Sequence, residues 1–120
     1  MFGRLLTVLG ALSVLGIGGV ALVWPRQATR TYGIPKDGPN ALAYVRATAA
    51  RDLVMGAFVL WAALADDRRA VEAGLTVCAL APLADFLIVA ERKGAVPQLA
   101  IHASGVAGIL ATLAIVRAGK

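Results

Sequence analysis

Four stretches of this chain are each apolar for about the length of a bilayer crossing, and that constrains the fold more than any other feature. A hydrocarbon core about 30 Å thick needs roughly 20 apolar residues per helix. The first stretch, Leu5–Trp24, has no charge and is closed by Pro25-Arg26. A signal-peptide core spans only about 7–15 residues, so this stretch is read as a retained helix. The second starts at Pro39, a favoured first helical position, and runs to Ala65. That exceeds one span, so its first two turns are expected in the interface. Asp66-Asp67-Arg68-Arg69 makes a turn, a third helix covers Ala70–Ala90 with Pro82 inside it, and Glu91-Arg92-Lys93-Gly94 makes a hairpin turn. The fourth helix runs from Pro97 to Val116.

Short connections force neighbouring helices antiparallel. The expectation is an all-α, integral membrane four-helix bundle, up-down-up-down, forming one transmembrane domain over residues 1–120. Its helices lie at about 5–24, 39–65, 70–90 and 97–116. The one long connection, PRQATRTYGIPKDGPN, holds three prolines and two glycines without helical periodicity. It is read as irregular, and residues 25–38 become a candidate lid, because long loops in compact folds are mobile or functional.

Composition agrees with this reading. Hydrophobic residues make up 59% of the chain and charged ones 16%, too few to coat a water-soluble domain of this size. The net charge of +5 is scattered over helix ends. It lacks the clustered basic stripe of a nucleic-acid binder, so the expected partner is the lipid bilayer and its headgroups. The single cysteine, Cys78, cannot form an internal disulfide, a C-x-x-C pair or a zinc cluster. It is read as an apolar filler. No metal and no cofactor is expected.

Lys and Arg hardly distinguish the two faces. Arg4, Arg68, Arg69, Arg117 and Lys120 collect on one, and Arg26, Arg30, Lys36, Arg92 and Lys93 on the other, here called side B. Positive-inside counting therefore leaves orientation open and permits dual topology in a homodimer. Trp24 and Tyr44 on side B, with Trp61 toward the opposite face, fit an interfacial aromatic belt. On the fourth helix, Ala100, Ser104, Gly108 and Thr112 recur every four positions beside Ala103, Ala107 and Ala111. Such stripes let helix backbones approach closely in lipid, and packing is the expected role.

Ionisable residues inside a span are costly and mark functional sites by default. Arg51, Asp52, Asp85 and His102 are the candidates. At 1.5 Å rise per residue, all four sit roughly 7–9 Å below side B. Asp85 lies eight residues before Lys93 and His102 eight after Gly94. An antiparallel pair of helices therefore sets them level, and the carboxylate is expected to hold one imidazole nitrogen. Arg51 is a permanent cation able to fork onto a carboxylate. Because consecutive residues stand about 100° apart around a helix, Arg51 and Asp52 are not expected to face one point. Gly56, one turn beyond Asp52, is expected to leave space beside that carboxylate. Pro82 removes the backbone bond to the Cys78 carbonyl and is expected to kink the third helix.

The stretches RATAARDLVMGAFVLWA, LADFLIVAERKG and AIHASGVAG resemble a family of small uncharacterised membrane proteins, catalogued as a domain of unknown function and broadly similar to the DoxX-like group. The resemblance covers nearly the whole chain, with Arg51-Asp52, Gly56, Asp85, His102 and Gly105 as its marks. It implies a four-span fold in the cell inner membrane and no established activity.

Function rests on the residues. The leading expectation is a site for a small lipophilic ligand, with Asp85, His102 and Asp52 as acid–base residues and Arg51, Gly56 and Tyr44 as binding residues. Isomerisation or cyclisation suits such a set, because proton transfer needs neither metal nor redox group. The alternatives are a proton-coupled transporter and a structural or accessory subunit of a membrane complex.

Overall fold

Each apolar run is helical in the computed structural model, which describes residues 1–31, 39–93 and 96–119. In chain order the elements are α1 (Phe2–Val23), α2 (Pro25–Thr31), α3 (Pro39–Leu64), α4 (Arg68–Glu91) and α5 (Val96–Ala118). Among the described residues there is no strand. α1, α3, α4 and α5 are each long and apolar enough to cross a membrane. The chain measures 47 × 26 × 17 Å, and its long dimension matches a bilayer of about 40–45 Å with headgroups.

α4 begins two residues earlier than expected, for a local reason. Asp67 is its N-cap and accepts a hydrogen bond from the Ala70 amide at 3.0 Å, satisfying one of the donors that a helix start leaves unpaired. Asp66 takes the left-handed conformation, φ 58°, that lets three residues join α3 to α4. Aspartate tolerates that conformation better than most residues. At the other end Lys93 does the same at φ 53°, and its amide returns to the Ala90 carbonyl at 3.0 Å. α4 stays helical through Pro82.

Small residues fill the interior and large ones stand outside. One buried cluster joins Ala11, Val59, Ala62, Ala63, Val71, Leu75, Cys78 and Leu113, and a second joins Ala21, Ala28, Val45 and Ala49. Leu9, Ile17, Val54, Trp61 and Leu80 are exposed, a distribution that suits an apolar solvent. Glycines set the closest approaches. A Cβ on Gly18 would stand 3.1 Å from the Ala49 carbonyl oxygen, and one on Gly56 3.0 Å from Leu15 Cγ. On the other pairs of helices Gly74 abuts Phe58, Gly105 abuts Pro82, and Gly3 abuts Val116.

Two expectations are corrected here. Residues 25–31 of the expected irregular lid form α2. Pro25 supplies a first helical position that needs no amide donor, and Ala28 packs with Ala21, Val45 and Ala49. The remainder, residues 32–38, lies outside the described residues, as does Gly94 of the second turn. The small-residue stripe does not pack inside either. Ala100, Ala103, Ser104, Ala107, Gly108 and Ala111 are exposed, and a Cβ on Gly108 would meet nothing within 4 Å.

Candidate functional site

α3 and α4 build the site between them. Ala49, Leu53 and Gly56 turn toward α1, where Gly18, Ala11 and Leu15 meet them, and Arg51 points around α3 to α4. Its guanidinium lies across Asp85 in a two-pronged bond, Nη1 to Oδ1 at 3.3 Å and Nη2 to Oδ2 at 2.9 Å. The same group donates to Asp52 Oδ1 from Nε at 3.1 Å and from Nη2 at 3.0 Å. The two carboxylate side chains are only 16% and 13% exposed, against 36% for Arg51. One cation therefore links two carboxylates on two helices, shielded from solvent on the carboxylate side.

This corrects the expectation that Arg51 and Asp52 could not converge. Their Cα positions do diverge around α3, but the arginine stem is long enough to fold its head back along the helix while reaching α4. One contact agrees with the expected level placement of Asp85 and His102. The Pro82–Gly105 contact pins α4 to α5, and each residue lies three positions from it toward side B. Yet no hydrogen bond or ion pair joins them. A delocalised cation with parallel donors binds a carboxylate roughly twice as strongly as a neutral donor does, so Asp85 turns to Arg51. His102 is left 7% exposed, with Nε2 buried and unpartnered.

The other expected binding residues lie apart from the triad. Gly56 leaves no space beside Asp52, because Leu15 of α1 occupies it. Tyr44 is 54% exposed, near the start of α3. At the opposite end the charges of α4 and α5 are paired with one another. Glu72 accepts from Arg68 Nε at 2.8 Å and from Arg117 Nε at 3.3 Å, which ties α4 to α5. Its signal was present in the four-residue spacing of Arg68 and Glu72, a favourable helical pair.

The buried Nε2 of His102 has no bond to lose. His102→Leu is therefore expected to leave the free energy of unfolding within about 0.5 kcal/mol of the parent, or to raise it, because it relieves a buried polar atom. Unfolding in dodecyl sulfate checks this. A loss of about 2 kcal/mol or more would show that the ring holds the bundle together.

Helices of this length and apolarity, with an ion cluster between two of them, fit the class of multi-pass helical membrane proteins. The chain belongs to the family of a domain of unknown function, DUF4267, which matches residues 11–116. No curated protein and no solved structure matches it.

Proposed function

We propose that this is a membrane-inserted, up-down-up-down bundle whose Arg51–Asp52–Asp85 triad binds a small lipophilic molecule and transfers protons on it. The antiparallel order is supported by contacts whose residue numbers rise along one helix and fall along the next. Gly18 with Ala49 and Gly56 with Leu15 relate α1 to α3, and Gly74 with Phe58 and Arg51 with Asp85 relate α3 to α4. Likeness to the DoxX-like group belongs to the same reading.

One observation carries the chemistry: a single guanidinium serves two shielded carboxylates. With both ionised the triad has one net negative charge, and one proton makes it neutral. That arrangement suits an isomerase or cyclase. One carboxylate removes a proton from one carbon of the substrate while the other, protonated, delivers its own to a second carbon. Bound and released protons balance, and Arg51 holds both groups in register. His102, with its buried Nε2 unpartnered, is the further acid–base residue of this reading. In a second reading the same charge serves proton-coupled transport or an accessory subunit, which the exposed small-residue face of α5 favours, because it suits close contact with another membrane helix.

The test is retention of an apolar molecule through purification, followed by its exchange with deuterated water. The wild-type chain is expected to retain such a molecule and label it, and Asp85→Asn or Asp52→Asn to abolish labelling. Asp66→Asn, at the far turn, should leave labelling intact. Labelling by both triad variants at the parent rate rules out acid–base chemistry, and pH-driven movement without labelling selects the transporter.

A further inference from the structure

A cavity of about 600 Å³ lies at the opposite end of the helices from the triad, among the first turn of α1, the end of α3, the start of α4 and the end of α5. Arg51 is 13 residues from Leu64, which is about 20 Å along α3. The volume falls within the roughly 300–1,000 Å³ of ordinary ligand sites. Its walls are of two kinds. Phe2, Val71, Ile115 and Val116 are apolar, and Arg4, Arg68 and Asp66 are charged.

The two arginines are held but not saturated. Arg4 donates to the Leu64 carbonyl at 3.2 Å and to Asp66 Oδ1 at 3.5 Å. Arg68 donates to Glu72 Oε1 at 2.8 Å and to the Arg117 carbonyl at 3.1 Å. A guanidinium has five N–H donors, so those bonds fix both heads and leave donors for a further acceptor. Two cations and one carboxylate in the wall favour an anion. Apolar walls beside two cationic side chains match one kind of molecule, a phosphate head carrying acyl chains, and basic pockets between membrane helices bind such heads.

We infer that this cavity is a binding site for one anionic phospholipid. Its phosphate sits between Arg4 and Arg68, and an acyl chain runs over Phe2 and Ile115. The site rests on the membrane-inserted reading and is independent of the chemistry at the triad. A zwitterionic lipid is disfavoured, because its choline cation would share the site with two guanidinium groups.

Native mass spectrometry of the full chain, titrated with phosphatidylglycerol, phosphatidylcholine or inorganic phosphate, tests it. One phosphatidylglycerol per chain is expected, bound at least tenfold more tightly than phosphatidylcholine, with inorganic phosphate unable to displace it. Arg4→Gln combined with Arg68→Gln should weaken phosphatidylglycerol about thirtyfold, as expected for two surface cations. Ala118→Trp, which adds bulk to the lining and removes no charge, should exclude both lipids. Equal binding of the two lipids to the wild-type chain, or unchanged binding in these variants, overturns the site. So does displacement by inorganic phosphate. Vesicle insertion separates the premise. A chain that stays out of vesicles of either lipid overturns the membrane reading and this site with it, whereas one that inserts in both without discriminating overturns the site alone.

Discussion

Arg51→Met is expected to be the most damaging single substitution outside the helix contacts. It removes the only cation bonded to Asp85 among the described residues and takes from Asp52 the guanidinium the two carboxylates share. Removing one partner of a fully buried ion pair costs about 3–5 kcal/mol. Arg51 is partly exposed, so a loss of about 2–3 kcal/mol is expected, read from unfolding in dodecyl sulfate. Arg51→Lys should recover only part of it, since an ammonium cannot fork onto two oxygens at once. Adding Asp52→Asn and Asp85→Asn to Arg51→Met should restore most of the loss, because the two negative charges that Arg51 bridges are then removed with it. If Arg51→Met alone unfolds like the parent, the triad contributes nothing to holding α3 on α4.

Substituting Gly18 and Gly56 by alanine together should separate α1 from α3. The added Cβ at Gly18 would lie 3.1 Å from a backbone oxygen, and that at Gly56 3.3 Å from the Ala11 carbonyl oxygen. Backbone cannot rotate away as a side-chain tip can, so the helices must move apart. Overpacking typically costs about 1–3 kcal/mol per site, and the two sites share one interface. Close approach is also what drives helix association in lipid. Gly10, Gly16 and Gly19 lie on the same helix with nothing within 4 Å of an added Cβ. Alanine at each should be neutral or stabilising by up to about 1 kcal/mol, from helix propensity. Equal losses at Gly16 and Gly18 would show that the α1–α3 contact is misplaced.

The four long helices were legible because their signal is local. Each is about one bilayer thickness of apolar residues, bounded by charge or proline, and no distant residue is needed to read it. The relative height of Asp85 and His102 along their helices was estimated the same way. A rise of about 1.5 Å per residue converts position directly into height, and the Pro82–Gly105 contact agrees with Asp85 and His102 being level. α2 was missed because three prolines and two glycines mask seven helical residues. Ala28 of that helix packs on Val45 and Ala49, which are remote in sequence.

Only the tertiary structure decided the partners. Equal height says nothing of which neighbour a carboxylate turns toward, and that choice follows from competition between donors. Asp85 had an imidazole and a guanidinium within the same layer and took the permanent cation, which offers two parallel bonds. Gly56 likewise left space in the sequence, and whether that space stayed open depended on Leu15 of another helix. The small-residue stripe on α5 was visible as a pattern, but which side of α5 met the bundle was not. Periodicity describes a helix surface, and only packing determines what faces it. Span, height and residue chemistry belong to the sequence of this protein, while pairing, filling and facing belong to the fold, because each is settled by residues far apart along the chain.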